Sequence, residues 1–412
     1  MATPFGKLTT TRAASHAWLI APVMLALIAG GVGYSGVGAW LALAPLITFA
    51  WGMSVDRRHA FLIAFVYYAA AGRGLFHGGG VFFAGELSPA AQSVSWGAFV
   101  WLAPTIVLAL VWASFWSVKR LHSRLIFCLV VLSVPPAGLI GWANPLSSAG
   151  IWYPGTGYAG VVMMIASMAG LVRVGQMVRE ARSHRALSPL MAMAIAAVVG
   201  GVALTNVIWT SPPAPAGWVG VRTHLGDTDG WVAMQSVQDA VGKSIDRNTR
   251  VMVLPEAVGG DWDLNKLYWE QLSPELAKQG VTVIIGADRA IDQRKRVNAL
   301  MTLGREGGQE WPDRAPVPLG MWNPLSSKRH IVADWTGTGV RRIDNVDSMY
   351  LICYEQLLVW PVLRSAMLHP RAIIGASNLW WAKGTTIPGI QRATLYSWGR
   401  LFSIPVVMAV ND

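Results

Sequence analysis

The side chains best suited to chemistry stand at the ends of two apolar runs. Leu351-Ile352-Cys353-Tyr354-Glu355 places a cysteine where one run stops, and Val253-Leu254-Pro255-Glu256 places a carboxylate at the end of another, about a hundred residues earlier. Reactive groups are commonly held at such edges by a rigid scaffold. A cysteine nucleophile needs a base to take its proton and donors to stabilise the oxyanion that its attack creates. Glu256 is suited to be that base, because a partly buried carboxylate has a raised pKa and near neutrality can both take and return a proton. The histidines beyond residue 209 are His224, His330 and His369, none in a recognisable pairing with Cys353, so a papain-like or serine-protease reading finds little support. On residue type alone, a cysteine is more often a small buried hydrophobe.

The elements that must position these groups divide the chain. Of its 412 residues, 53% are hydrophobic and 13% charged, against about 25% charged in an ordinary soluble protein. Long, nearly uncharged segments lie at 17–36, 38–53, 61–76, 93–116, 125–146, 158–174 and 188–209. A spanning helix needs about 20 residues, so seven spans are expected within residues 1–209. The net charge of +11 is concentrated there too: twelve basic and three acidic residues give +9, while the remainder of the chain carries +2. The basic residues cluster in the N-terminal tail, 54–59, 117–124 and 173–187, whereas 77–92 and 146–157 contain no Lys or Arg. This alternation is the positive-inside pattern. It predicts a cytoplasmic N-terminus in a bacterial inner membrane and, after seven crossings, residues 210–412 in the periplasm. The charge is a topology signal, and no direct nucleic-acid binding is expected. The first apolar stretch lacks a clear small-residue cleavage site and reads as an anchor. Cys128 falls inside an expected span and Cys353 outside the membrane, so the two are not expected to pair.

Thr210-Ser211-Pro212-Pro213-Ala214-Pro215-Ala216-Gly217 reads as a linker over 210–217. Beyond it, strand candidates at 218–222, 251–255, 281–286, 297–303, 331–335, 348–353, 371–376 and 404–410 alternate with helix candidates at 231–244, 263–279, 355–368 and 389–402. That alternation predicts an α/β or layered-sheet domain over 218–412. The run Arg289 to Arg296 reads as a solvated turn.

Several short motifs recur in a fixed order: Pro255-Glu256 ending a strand, Asn298-Ala299-Leu300, Val317-Pro318-Leu319-Gly320, Ile352-Cys353-Tyr354-Glu355 and Ala376-Ser377-Asn378. The series resembles the nitrilase, or carbon–nitrogen hydrolase, superfamily. With the preceding apolar segments it is similar to the apolipoprotein N-acyltransferases, and in length and style to the TraB-type conjugal-transfer proteins of Ti-like plasmids. The resemblance implies a membrane helix bundle carrying an αββα domain. It makes Cys353 the nucleophile of a thioester mechanism, Glu256 the general base, Tyr354 and Glu355 pocket residues, and Trp380 and Trp381 an aromatic loop near the substrate mouth. The partners it implies are membrane lipid, a lipoprotein or amide substrate, and conjugal-transfer components; no cofactor and no metal is expected.

The sequence departs from that family where its catalytic lysine belongs. Aligned without gaps, Asp313 takes the lysine's place and Met321 replaces a glutamate, with Lys328 lying beyond the motif. Arg314 is one residue away and is the expected substitute for the positive charge, although an Arg fork and a Lys ammonium are not equivalent. The chain stops at Val410-Asn411-Asp412, where the family continues, so either a shortened member or an early end of the reading frame is expected. Two functions are therefore open: an acyltransferase or amidase working through Cys353, or a catalytically impaired relative that binds a lipid or a partner. A transporter ranks below both, since Arg73 alone is an ionisable residue near a span, and intramembrane charges are what transport sites require.

Overall fold

The computed structural model describes residues 6–84, 90–180, 189–226, 231–324 and 329–412; Lys328 lies outside them. Up to Ile208 the described chain is helical, and from Trp218 onward strands and helices alternate. Among the described residues, the helices Val94–Phe115 and Gly157–Glu180 are long and apolar enough to cross a membrane, and the pair Arg57–Ala71 and Arg73–Phe83, bent by 57°, would make a third if it is one span. Shorter apolar helices occupy Trp18–Gly31, Gly38–Gly52, Leu121–Ser133 and Ala196–Ile208.

Three of the expected spans are not single helices: 61–76 breaks at Gly72, between the two helices of the bent pair. Segment 38–53 divides at Pro45 into a 3-10 turn, Gly38–Leu43, and a short helix, Leu46–Gly52. Segment 125–146 stops being helical at Ser133, after which Val134 is extended and 3-10 turns follow at Ala137–Leu139 and Pro145–Ser148. Hydropathy runs on through Pro135-Pro136, but a proline donates no hydrogen bond and pushes the residue before it out of the helical region. Conversely, most of the expected loop 77–92 is helical, since the helices Arg73–Ala84 and Ala90–Phe115 enter it from both sides.

Inside this helical part, several buried polar side chains bond one another or backbone carbonyls, as a water-poor interior favours. Trp51 Nε1 donates to the Trp112 carbonyl at 3.1 Å, Trp112 Nε1 to the Tyr68 hydroxyl at 3.1 Å, and the Tyr67 hydroxyl to the Ala143 carbonyl at 3.0 Å. The outer helix faces carry exposed Leu19, Ile20, Phe99, Leu110, Phe127, Val162 and Val199.

Among the described residues, the rest of the chain contributes eleven strands: β1 (Trp218–Gly220), β2 (Arg222–Thr223), β3 (Val251–Val253), β4 (Thr282–Ala290), β5 (Lys295–Gly304), β6 (Glu310–Pro312), β7 (His330–Ile331), β8 (Val340–Ile343), β9 (Val346–Ile352), β10 (Ala372–Asn378) and β11 (Val406–Asn411). One sheet has the order β1-β3-β4-β5-β6, with β7 also on β5; the other has the order β2-β11-β10-β9-β8. Six of the eight expected strands are present near their expected bounds; the expected 218–222 is split into β1 and β2 of different sheets, and the expected 331–335 is strand only at His330–Ile331, while β6 and β8, short and rich in polar residues, carry no clear apolar run. The expected helix 263–279 is two helices, Trp262–Glu270 and Ser273–Lys278, the second opened by Pro274 in its first turn.

Strand periodicity sets the layers. In β9, Tyr350 and Ile352 join a core shared with Val251, Val253, Ile284 and Leu300 of the other sheet, while Met349 and Leu351 point the opposite way. In the first sheet, Met252, Val283, Ile285 and Met301 face the helices Trp231–Ser244, Trp262–Glu270 and Ser273–Lys278. The result is helix, sheet, sheet, helix, the carbon–nitrogen hydrolase-like order that the resemblance implies.

The last helical layer, Ile387–Phe402, has a second duty. Its Leu395, Trp398 and Leu401 belong to one apolar core that runs from β9 and β10 into the N-terminal helices. Small residues make this close packing possible. A Cβ on Gly150 would stand 1.7 Å from the Ser397 carbonyl oxygen, and one on Gly36 would stand 2.8 Å from Gly389 Cα. Ser397 Oγ donates to the Ser147 carbonyl at 2.5 Å, and Arg400 donates to the Gly150 carbonyl at 3.2 Å while stacking on Trp209 at 4.3 Å. We expect Gly150→Ala to destabilise the protein by about 2 kcal/mol or more, read as a lowered unfolding temperature in detergent, with Gly170→Ala, where a Cβ meets nothing within 4 Å, as the neutral control.

Candidate active site

Cys353 sits where β9 ends and a 3-10 turn, Cys353–Leu357, begins. Its φ is 41°, in the left-handed region. For a non-glycine residue this costs of order 1–3 kcal/mol, and surrounding bonds must hold it. Gln391 of the helix Ile387–Phe402 supplies one: its Nε2 donates to the Cys353 carbonyl at 2.8 Å and to Ser377 Oγ at 2.7 Å. Gln356 completes the clamp by donating to the Leu351 carbonyl at 3.1 Å and to Ser377 Oγ at 2.9 Å. The elbow presents the cysteine beyond the sheet edge.

Glu256 follows β3 and is reached through a glycine on the neighbouring strand. A Cβ on Gly286 would lie 2.4 Å from Glu256 Cα, so only glycine there lets the loop settle onto β4. The buried carboxyl accepts from Asn298 Nδ2 at 2.8 Å and from the Asn378 backbone N–H at 3.0 Å, and it hydrogen-bonds the Cys353 thiol. Burial raises its pKa from 4.5 to about 7 against the pull of these three donors, and the charge of Asp288 adds to the rise. The thiol of Cys353 is pushed well above its usual value, first by burial and then by Glu256 beside it. At neutral pH the pair is therefore a protonated thiol facing a carboxyl that titrates there, the arrangement of a general base and its nucleophile rather than of a preformed thiolate.

Asp313 is buried on the other side of Asn298. Its Oδ2 lies 3.3 Å from Asn298 Nδ2, and its Oδ1 accepts from the Ala315 backbone N–H at 2.9 Å. Arg314, the next residue, points away from this cluster. Its backbone N–H and Nε donate to Glu355 Oε1 at 2.8 and 3.1 Å, Nη2 to Glu355 Oε2 at 3.1 Å, and Nη1 to Ser365 Oγ at 2.8 Å. Arg314 and Glu355 are both fully buried. Two opposite charges so far from water are stable only when paired and hydrogen-bonded. This corrects two sequence expectations. Arg314 does not offer the cluster a free cation in place of lysine, and Glu355 does not line a pocket. Together they brace the turn, since Glu355 Oε2 also accepts from the Ile352 N–H at 3.1 Å.

A cavity of about 290 Å³ opens from Cys353 into the helical part of the chain. Its walls are almost wholly carbon: Leu75, Phe82 and Phe83 from the helix Arg73–Ala84, Trp96 and Phe99 from the helix Ala90–Phe115, and Val317, Pro318 and Leu319 from the loop after Asp313. Tyr354 and Trp381 also line it. The Tyr354 hydroxyl reaches into the helical part to donate to the Leu139 carbonyl at 2.9 Å. Trp381 packs edge-on to Phe82 with centroids 5.4 Å apart, its Nε1 donating to the Asn378 carbonyl at 3.0 Å. Trp380 is half-buried and is not part of the wall.

Cys353, Glu256, Tyr354 and Trp381 thus converge, whereas Arg314, Glu355 and Trp380 stand apart from the cavity. Asn298, Asn378, Gln391 and Gln356 were given no role by sequence reasoning. Asn298 alone carried a signal: a polar side chain inside the apolar run of β5, which when buried must bond something. For the buried ion pair we expect Glu355→Gln or Arg314→Met alone to cost about 3–5 kcal/mol, because each strands a charge. The double variant should recover part of that loss in denaturant unfolding.

No family model matches the chain. Among solved structures it is similar to an amidase of the nitrilase superfamily from Nesterenkonia (12% identity, TM-score 0.35, 48% of this chain and 78% of that one). It is also similar to a carbon–nitrogen hydrolase from Helicobacter pylori (13% identity, TM-score 0.33, 47% and 72%). Among curated proteins, a probable conjugal transfer protein TraB from Sinorhizobium fredii is 34% identical over 399 residues, covering 93% of this chain and 96% of its own. The conjugal transfer protein TraB of Agrobacterium fabrum is 33% identical over 431 residues, covering 96% and 93%. With a third of its residues shared across almost the whole length of these relatives, the chain belongs to the TraB family of conjugal transfer proteins.

Proposed function

We propose that this protein is a membrane-embedded cysteine acyltransferase or amidase that carries an acyl group on Cys353. The observation that carries the reading is the junction of a hydrogen-bonded thiol–carboxyl pair with a carbon-walled cavity built largely from apolar helices. In the first half-reaction ionised Glu256 takes the thiol proton as sulfur attacks the carbonyl carbon of a lipid ester or an amide. The tetrahedral oxyanion then collapses, the departing alcohol or amine receives the proton from Glu256, and a thioester remains. In the second half an acceptor amine or water loses its proton to Glu256 as it attacks the thioester carbonyl; the intermediate collapses to the acylated acceptor, and Glu256 returns the proton to the departing Cys353 sulfur. The cavity would hold the acyl chain, with Tyr354 and Trp381 at its inner end.

The membrane setting is supported by the exposed apolar side chains along the outer helix faces and by the alternating basic segments. In this reading residues 1–209 form the membrane part, 210–217 the linker, and 218–412 a periplasmic domain, with the shorter and broken apolar helices completing the crossings. The relatives' name makes conjugation the process in which the activity, and its lipid, lipoprotein or transfer-apparatus partners, would serve. A second reading, a lipid- or partner-binding relative without turnover, is favoured by one observation: Asp313 stands where a lysine is expected.

The two separate by intact mass of the detergent-purified protein from a bacterial membrane. We expect an acyl-sized increment released by hydroxylamine and absent from Cys353→Ala; an unmodified parent that also resists an acyl-phosphonate probe would leave the binding reading. The acylation rate should rise through about pH 7, because the ionised form of Glu256 is the active one. Glu256→Gln should abolish that rise and slow acylation by about 10²–10⁴.

A further inference from the structure

The site contains a second acid that the mechanism above does not use. Glu256 and Asp313 are both nearly inaccessible to solvent, 4% and 2% exposed, and the same amide nitrogen of Asn298 faces both carboxyls, at 2.8 and 3.3 Å. We propose that these two carboxyls form a pair that keeps one proton once Glu256 has ionised, with Asp313 as the protonated member, so that a neutral acid stands beside the nucleophile. The proposal rests on the reading of Glu256 as the general base.

The asymmetry of the donors decides which member carries the charge. Glu256 collects the shorter bond from Asn298, the Asn378 N–H and the thiol, three donors that favour its ionised form. Asp313 has only the Ala315 N–H and the longer contact to Asn298. The charged and titratable groups around it add to the imbalance. Glu256 faces it from the loop after β3 and Glu355 from the turn after β9, and Cys353 lies beside them. Asp288 of β4 acts on Glu256. Among the described residues, Arg314 is the cation acting on Asp313, and its guanidinium is committed to Glu355. Burial first, then Glu355 and Glu256, hold the Asp313 carboxyl well above the ordinary range. Two carboxyls in one dry site cannot both ionise without a large rise in one of them, and their protons leave in two steps that belong to the pair.

A protonated Asp313 does two things for the reaction. It spares Glu256 a neighbouring anion, and it keeps negative charge away from the oxyanion formed on attack. Asp313 acts through Asn298 and the local field, so it is a positioning residue. Ionising it should oppose acylation, which predicts a rate that falls again at high pH.

Infrared spectroscopy of the detergent-solubilised wild type at about pH 8, where ordinary carboxyls are ionised, tests the proton directly. The expected result is a protonated-carboxyl stretch that shifts in heavy water and shifts again when the protein is grown on isotope-labelled aspartate. Absence of the band, or a band insensitive to the aspartate label, overturns the pair, and neither outcome depends on turnover or on a variant that folds. If the band is present but Cys353 is never acylated by p-nitrophenyl octanoate, the enzyme reading fails and the pair stands. If acylation occurs, Asp313→Asn should keep the rising limb near pH 7 and a neutral-pH rate within about tenfold of wild type, while losing the fall at high pH. A rising limb displaced by about one unit or more to lower pH would mean that Asp313 was an anion, and an unchanged high-pH fall would mean that it does not titrate with the pair; either result overturns the proposal.

Discussion

The helix Ile387–Phe402 is the constraint on which the rest of the structure depends, because it is buried on both faces. On one side Leu395 fits over Gly375 of β10; on the other Gly150 and Gly36 let the N-terminal helices approach its backbone. A helix in that position cannot shift without opening two interfaces at once, since close-packed interiors respond to displacement as rigid bodies. Its one buried amide at the sheet, Gln391, ties the carbonyl of Cys353 to Ser377. The same element therefore fixes the left-handed elbow and joins the sheets to the apolar helices. The cavity at Cys353 is a consequence: it forms where the sheet edge, this helix and the helices Arg73–Ala84 and Ala90–Phe115 fail to close completely.

Electrostatics in the site follow from how few charges are neutralised locally. Arg314 and Glu355 satisfy each other behind the elbow, which removes the nearest cation from the Glu256 cluster. What remains is two carboxyls and a thiol, served by neutral donors from Asn298, Asn378 and Ala315. A lysine at position 313 would hold Glu256 ionised by attraction. An aspartic acid achieves a poised base differently, by occupying the place without adding net charge so long as it keeps its proton. The departure from the family pattern and the raised pKa of Glu256 are in this view one feature.

Cys353 and Glu256, which the structure brings side by side, could be picked out in the sequence because buried parallel strands read as continuous apolar runs and each residue stands where a run stops. Sequence reasoning misplaced Arg314 because neighbouring residues of a loop can face opposite ways: Asp313 meets Asn298 while Arg314 turns to Glu355. Gln391 and Asn378 were illegible for a deeper reason, since nothing local to a helix or a strand end says which distant carbonyl or carboxyl it will meet. In the N-terminal part, hydropathy located the apolar segments but not their breaks. Pro45, Gly72 and Pro135-Pro136 interrupt helices inside windows that remain apolar throughout. The span number therefore needs backbone geometry, whereas the polarity of the loops does not.

The position of the cavity also bears on which substrates make physical sense. Each methylene moved from an apolar medium into water costs about 0.8 kcal/mol, so extracting a dodecyl chain from a bilayer would cost on the order of 10 kcal/mol before any chemistry began. If those helices lie in a bilayer as proposed, a pocket walled by Phe82, Phe83, Trp96 and Phe99 would avoid most of that cost, because the chain would pass from lipid to protein without crossing water. A small polar amide gains nothing from such walls and would leave them unwetted and unfilled. If Cys353 forms a thioester, the carbon lining therefore favours a lipid acyl donor.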